Sequence, residues 1–320
     1  MRVVTLLPSA TEIVYALGVE PVGTSHECDH PPEAADLPAV NYARIDPDAG
    51  SAEINEQVAE AERGEGVYGI HEDRLAELDP DLIVTQGVCD VCAVDEVVVE
   101  QAVDDLGLDA AVLTLDVHSL DDLFASIRRI GDAVDRAERA AELVADLRER
   151  VDAVEARAAA AEERPSAAVL DWIDPVMVAG HWVPEMVDLA GGEYGMESTG
   201  AHSRPRGWDE VREYDPDVLA VAPCGFDLEQ TRENLTDLTE RPGWDDLTAV
   251  REGRVYLMDG HHYVNRSGPR LVDTLESLAG IVHPDLFESP PDGVVERLAT
   301  AEAESKRKTN RQSDSEQRPS

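Results

Sequence analysis

The 320-residue sequence almost lacks lysine, since its only two, Lys306 and Lys308, lie near its end. Lysine and arginine together number 27 against 68 aspartates and glutamates, which gives a formal net charge of −41. Such a charge repels phosphate backbones and anionic lipid surfaces, and it excludes a nucleic-acid-binding or membrane-surface role. A carboxylate-rich surface repels itself in dilute salt and is screened in concentrated salt, so we expect an acidic, halophilic protein.

Long hydrophobic runs are also missing. No stretch of 18 apolar residues occurs, and the first apolar run, Val3–Leu7, is far too short for an export signal. We therefore expect a cytoplasmic protein, with the cell surface as the alternative if the true start codon lies upstream. In the cytoplasm the four cysteines, Cys28, Cys89, Cys92 and Cys224, would be thiols rather than disulfides.

The sequence also lacks the usual catalytic motifs. It has no glycine-rich nucleotide loop after a strand, no Gly-x-Ser-x-Gly elbow and no His-Glu-x-x-His pair. We therefore expect a protein that is not an enzyme and requires no cofactor. The rival interpretation rests on Cys89-x-x-Cys92, a spacing that can bind zinc or cycle as a dithiol. A cytosolic metal-binding enzyme that uses cysteine and histidine loops thus remains the alternative, with a metal ion held by the four cysteines.

What is present is a repeated alternation of short apolar runs and amphipathic stretches, which predicts an α/β fold with parallel sheets. The first run is followed by Ser9 and Glu12 in the spacing of a helix capping box. Two later segments resemble each other, Leu78-Asp-Pro-Asp-Leu-Ile-Val-Thr-Gln-Gly-Val-Cys89 and Tyr214-Asp-Pro-Asp-Val-Leu-Ala-Val-Ala-Pro-Cys224. Each places Asp-Pro-Asp before a strand and a cysteine after it, which indicates two similar lobes.

A helical segment separates the two halves. Residues 119–164 contain no proline, and 136–164 are rich in alanine, glutamate, arginine and leucine, all strong helix formers. We predict a rigid helix over 136–164, about 43 Å long at 1.5 Å per residue. The predicted organisation is an N-terminal α/β lobe (1–118), this helical backbone segment (119–164), a C-terminal α/β lobe (165–299) and a disordered polar tail (300–320).

Cysteine, histidine and tryptophan concentrate in the loops that follow predicted strands. Ligands bind beyond the carboxyl ends of parallel strands, so these loops are the expected site. Aromatic side chains there need a cover, and we expect Trp172, Trp182, Phe226 and Tyr263 to line an apolar cleft between the lobes.

The order of elements resembles a known family. Thr5-Leu-Leu-Pro-Ser-Ala-Thr-Glu12, Pro21-Val-Gly-Thr-Ser25, Asp79-Pro-Asp-Leu-Ile-Val84, Ala190-Gly-Gly192 and Arg266-Ser-Gly-Pro-Arg270 are similar to segments of helical-backbone substrate-binding proteins of ABC importers for cobalamin and ferric siderophores. The resemblance covers about residues 1–285 and is greatest to the cobalamin-binding branch. It implies two α/β lobes bridged by a long rigid helix, as in class III periplasmic binding proteins, with little hinge motion.

The resemblance also implies the ligand and its contacts. The ligand would be a corrinoid or a ferric chelate in the cleft, bound by a monomer that docks on an ABC permease. By position, the ligand-binding residues would be Ser9, Tyr42, Gln86, Trp172, His181, Phe226 and Arg266, and the need to cover loop aromatics adds Trp182 and Tyr263. Docking would use one acidic residue on each lobe, for which Glu96 and Glu229 are the candidates.

Overall fold

A computed structural model describes residues 1–61, 63–64, 66–87, 94 and 96–299. The N-terminal half holds strands and helices in alternation: β1 (Val3–Thr5), α1 (Pro8–Ala16), β2 (Asn41–Ala43), α2 (Ser51–Ala61), β3 (Tyr68–Ile70), α3 (Glu72–Leu78), β4 (Leu82–Gln86), α4 (Glu96–Leu106) and β5 (Ala111–Leu115). β1, β4 and β5 form a parallel three-stranded sheet, and β2 pairs with β3 antiparallel.

The remaining helices and strands are α5 (Leu120–Ala133), α6 (Ala137–Ala158), β6 (Ala167–Trp172), β7 (Met177–Val178), α7 (Val183–Leu189), β8 (Arg204–Pro205), α8 (Trp208–Tyr214), β9 (Val218–Val221), α9 (Leu228–Asn234), α10 (Thr236–Thr239), α11 (Thr248–Arg251), β10 (Val255–Met258), α12 (Leu271–Val282) and β11 (Val295–Arg297). Their sheet has the order β11-β10-β9-β6-β7-β8, in which β6, β9 and β10 run parallel and the outer strands antiparallel.

The two Asp-Pro-Asp units occupy equivalent places in the two sheets. Asp79 and Asp215 each end a helix in the left-handed conformation, with φ of 39° and 45°, directly before β4 and β9. The third residue of each unit ties its strand to the neighbouring one: Asp81 Oδ2 accepts from the Arg2 amide at 2.6 Å, and Asp217 Oδ2 accepts from the Ser166 amide at 2.9 Å. The local repeat therefore reflects two lobes built alike, and the α/β fold with two lobes is confirmed.

The segment between the lobes is an antiparallel pair of helices. α5 begins at the Ser119 N-cap, whose hydroxyl accepts from the Asp122 amide, and α6 follows after a turn in which Asp135 has φ of 56°. The predicted helix over 136–164 is shorter in the structure, since α6 ends at Ala158. Two properties of the following residues disfavour a longer helix. The negative charges of Glu162 and Glu163 are unfavourable at the C-terminal end of a helix, and Pro165 disfavours the α conformation of the residue before it.

The long helix contacts both lobes. The side chains that α6 buries recur at helical spacing, and they are Ala140, Val144, Leu147, Val151, Val154 and Ala158. On the N-terminal side, Arg139 Nε donates to the Ala16 carbonyl at 3.2 Å. On the C-terminal side, Arg150 pairs with Asp273 at 2.5 Å and with Glu276 at 2.7 Å, both on α12. The helix thus fixes one lobe relative to the other.

One predicted feature near α1 differs from the structure, and the segment after the helix is irregular. Residues 19–25 form isolated bridges, from Gly23 to Val4 and from Thr24 to Ala39. The predicted capping box at α1 is wrong, because Pro8 already occupies the first turn and Leu7 is the N-cap, without a side-chain hydrogen bond. Within the described residues, no helix is both long and apolar enough to cross a membrane.

Candidate functional site

The aromatic pair, Trp172 and Phe226, lies where the two lobes meet. Trp172 is the last residue of β6 and Phe226 follows β9, so both stand at the carboxyl ends of neighbouring parallel strands. Their ring centroids are 5.2 Å apart with an interplanar angle of 54°. Ile54 of α2 packs on them from the other lobe, and the three form an apolar cluster separate from the two larger cores. This is the most apolar part of the candidate cleft.

An interlobe ion cluster consists of Glu12 and Asp29 from the N-terminal lobe and Arg266 and Arg270 from the C-terminal lobe. Arg270 Nη2 lies 2.5 Å from Glu12 Oε1, and Arg266 Nη1 is hydrogen-bonded to Asp29 Oδ1 and lies 3.8 Å from Glu12 Oε1. The side chains of Glu12 and Arg266 are 3% and 6% exposed, so both charges are desolvated. The pairing explains why Glu12 faces the other lobe instead of capping its own helix.

Close backbone packing surrounds the ion cluster. A Cβ on Gly268 would meet Glu12 Oε2 at 2.9 Å and the Ser9 Cα at 3.3 Å, so a larger residue would force Glu12 or α1 to shift. The Arg270 guanidinium lies over the ring of Tyr263, with its Cζ atom 5.1 Å from the ring centroid. The structure thus brings the predicted site residues Ser9, Tyr263 and Arg266 to one junction. The Arg266 guanidinium donates hydrogen bonds to Asp29 and to the Glu27 carbonyl. Contact of Ser9, Tyr263 and Arg266 with a ligand stays a prediction.

Three histidines meet at a second junction. His118 follows β5, whereas His181 and His202 come from loops of the other lobe. The His181 ring centroid is 5.6 Å from that of His118 and 5.1 Å from that of His202. His118 Nε2 is bonded to Asp116 Oδ1 at 2.8 Å, and the Nδ1 atoms of His118 and His181 are buried without a hydrogen-bond partner. His118 was not among the predicted site residues. It follows the parallel strand β5, as the predicted loop residues follow theirs, so its position in the sequence indicates the same edge of the sheet.

Burial changes the proton affinities of several side chains at these junctions. It lowers the pKa of His181 to about 4, helped by the two neighbouring imidazoles. It lowers the pKa of His261 to about 4 as well, helped by the Arg266 charge. For Asp171, directly before Trp172, burial raises the pKa of the carboxyl to about 6 against a hydrogen bond from Ser203. The imidazoles of His181 and His261 are therefore neutral at pH 7.

These shifts predict a loss of stability in mild acid. His181 and His261 are depressed below their ordinary pKa of 6.5, so their stabilising contribution is present above pH 6.5 and lost as the pH falls toward 4. The raised pKa of Asp171 has the opposite effect, since it increases the stability of the folded protein as the pH falls from about 6 to 3.8. The contribution of this one carboxyl does not offset that of the two imidazoles. His181→Asn, which tolerates the positive φ of 52° at this position, should remove part of the loss.

We expect the melting temperature of the parent protein to fall further between pH 7.5 and pH 5 than that of His181→Asn. The difference should correspond to about 1 kcal/mol, since solvent screens the half-buried ring. His30→Gln, at an exposed histidine, is the control and should follow the parent. Parallel melting profiles for all three proteins would contradict the role of His181.

The predicted cysteine site is only partly described. Cys89 and Cys92 lie outside the described residues, and Cys224 is half-buried in its loop. Cys28 is buried, and desolvation raises the pKa of its thiol to about 11 despite a 3.0 Å contact with the Thr11 hydroxyl. A protonated thiol is a poor metal ligand. Among the described residues, no group of three or more His, Cys, Asp or Glu side chains is placed to hold a metal ion.

The other predicted contacts lie apart from the aromatic pair or deeper in the protein. Trp182 is in the C-terminal core, where its Nε1 donates to the Val264 carbonyl at 3.0 Å. Gln86 is buried at the end of β4. Tyr42 stacks on His71 and borders an open groove of about 710 Å³ whose other walls include Glu72, Asp73, Arg74 and Glu77. That groove is strongly charged, which suits an apolar ligand less well than the aromatic pair does.

The family model for periplasmic binding proteins matches residues 3–261. The chain belongs to this family. Its members are non-catalytic substrate-binding components of ABC importers, which bind small-molecule ligands and work with a permease. The two lobes bridged by α6 are the architecture of the class III members.

Known relatives of this periplasmic binding protein are distant but span most of its length. An uncharacterized ABC transporter substrate-binding lipoprotein of Bacillus subtilis is 25% identical over 295 residues, 90% of this chain and 81% of the relative. A vitamin B12-binding protein of Vibrio parahaemolyticus is 24% identical over 279 residues, 86% of each chain. The crystal structure of a periplasmic heme-binding protein from Pseudomonas aeruginosa covers 93% of this chain and 98% of its own, with a TM-score of 0.71 at 21% identity, a likeness in fold.

The cytoplasmic location expected from the sequence is wrong. The family is one of periplasmic binding proteins and the Bacillus relative is a lipoprotein, which indicates the cell surface. The first apolar run carries no information on export because Val3–Thr5 forms the buried strand β1. The alternative of a metal-binding enzyme loses its cytosolic setting with that correction.

Proposed function

We propose that this periplasmic binding protein binds a corrinoid, or less readily a ferric chelate, between its lobes and delivers it to an ABC permease without catalysing a reaction. The observation that carries the proposal is the aromatic pair, Trp172 and Phe226, buried at the lobe junction and covered by Ile54 and partly buried apolar neighbours. A flat apolar macrocycle would replace that cover. The vitamin B12-binding relative supports the choice of a corrinoid.

We propose one glutamate on each lobe as the contacts with the permease. Glu96 begins α4 in the N-terminal lobe, and Glu229 lies exposed in the first turn of α9 in the C-terminal lobe. One carboxylate on each lobe suits a permease that presents two basic sites.

Ligand titration tests the proposed function. In molar salt, the purified protein should bind cyanocobalamin, cobinamide, haemin or a ferric hydroxamate at micromolar concentration or below, with cobinamide or cyanocobalamin the tightest. Trp172→Ala should weaken that binding by about 1–3 kcal/mol, the range for losing a large apolar contact. Absorbance changes and calorimetric heats measure both quantities.

A matched control separates loss of the contact from general damage. Phe287 is a partly buried aromatic that packs under Arg157 of α6, 5.1 Å from the guanidinium carbon to the ring centroid. Phe287→Ala should therefore bind as the parent does. The absence of binding to all four ligands would remove the proposed function, and equal affinities for Trp172→Ala and Phe287→Ala would remove the aromatic pair from the site.

A further inference from the structure

Helix α2 belongs to one lobe by sequence and packs against the other. It lies in the excursion between β2 and β3, which pair with each other on the N-terminal lobe. The side chains that it buries are Ser51 and Ile54, and both face the C-terminal lobe. The helix therefore reaches from one lobe to the other over the aromatic pair.

Three hydrogen bonds anchor this crossing. The Ser51 amide donates to Asn234 Oδ1 at 3.0 Å, and the Ser51 hydroxyl donates to Asp237 Oδ2 at 3.2 Å. Ahead of the helix, Gln230 Nε2 donates to the Pro47 carbonyl at 2.6 Å. All three partners on the C-terminal lobe come from α9 and α10. The anchors are neutral or singly charged and near the surface, so they can be exchanged for water at modest cost.

The apolar contact beneath the helix is equally limited. Ile54 is 6% exposed and packs on Trp172 and Phe226, with Ile45, Ala49, Val58 and Met177 partly buried around it. This cluster is separate from the two larger cores, of which one runs through both lobes and the helices between them and the other lies in the N-terminal lobe. Displacing α2 would therefore leave both cores intact while uncovering the face of the aromatic pair.

We propose that α2 is an exchangeable cover of the cleft, in which Ile54 occupies the subsite that the apolar face of the bound ligand takes in the loaded protein. The inference rests on the proposed function. It assigns the subsite to a ligand with a broad, flat, apolar surface, because one aliphatic side chain is exchanged for contact with two aromatic rings. The ligand and α2 compete, so the fraction of protein with α2 undocked sets the apparent affinity.

Hydrogen exchange measures the competition directly. Saturating cobinamide, or haemin in a second experiment, should increase amide exchange across residues 51–61 of the parent protein. Ile54→Ala, which weakens docking, should bind the same probe about three- to tenfold faster, since more of the protein is open beforehand. Glu56→Gln, at an exposed position of the same helix, is the control and should keep the parent's association rate.

The outcomes separate the cover from the function. Protected or unchanged exchange at 51–61 in the loaded protein, or equal association rates for Ile54→Ala and Glu56→Gln, would overturn the cover while the binding function stands. If none of cyanocobalamin, cobinamide, haemin and the ferric hydroxamate binds any of the three proteins, the proposed function fails. The cover is then judged without ligand, where faster exchange at 51–61 in Ile54→Ala than in Glu56→Gln supports it and equal exchange overturns it.

Discussion

Leu147→Pro is expected to remove at least about 3 kcal/mol from the free energy of unfolding. Leu147 is 4% exposed in the interior of α6 and belongs to the main hydrophobic core. Proline at this position cannot donate to the carbonyl of Leu143 and its ring clashes with that carbonyl. Because α6 contacts both lobes, the kink would separate them as well as weaken the core. Chemical denaturation followed by circular dichroism measures the loss.

A conservative substitution at the same position distinguishes the helix from the side chain. Leu147→Met keeps the volume and the amide, so it should cost less than about 1.5 kcal/mol. Glu149→Ala, on the exposed face, should lie within about 0.5 kcal/mol of the parent. If Leu147→Pro unfolds at the same denaturant concentration as Leu147→Met, α6 is a loose connection and not a rigid support.

Much of each lobe could be predicted from short-range patterns. The strands β5 and β10 coincide with short apolar runs of the sequence, Ala111-Val-Leu-Thr-Leu115 and Val255-Tyr-Leu-Met258. The Asp-Pro-Asp repeat predicted two lobes from its position before a strand in both halves. In the structure its first aspartate adopts the left-handed conformation in both copies. Burial on one face and the preferences of turn residues are local properties, so they are visible in one stretch of sequence.

The candidate site was less predictable because its contacts join distant residues. Glu12 and Arg270 are 258 positions apart, and the local spacing of Ser9 and Glu12 suggested a capping box that does not form. Helix α2 has an ordinary polar sequence, and its contact with the C-terminal lobe depends on where the β2–β3 pair places it. The aromatic residues were predicted at the cleft because apolar rings in loops need a cover, and their role in binding stays a prediction.

The ion cluster between the lobes should give the second large effect. Removing one partner from a buried ion pair leaves the other charge desolvated, which typically costs about 3–5 kcal/mol. Glu12→Gln removes the carboxylate charge that faces Arg270 at 2.5 Å and Arg266 at 3.8 Å, so we expect a loss of that size in the free energy of unfolding. The loss should persist in molar salt, because ions screen buried pairs far less than exposed ones.

An exposed pair on the helical backbone provides the comparison. Arg148 and Asp121 are 2.6 Å apart with side chains 48% and 81% exposed, so Asp121→Asn should cost at most about 1 kcal/mol, and less in molar salt. Combining Glu12→Gln with Arg270→Gln should cost clearly less than the sum of the single changes, since the second change removes the charge that the first one left unpaired. Additive losses, or a Glu12→Gln loss that disappears with salt as that of Asp121→Asn does, would show that solvent reaches the junction and that the ion cluster does not stabilise the contact between the lobes.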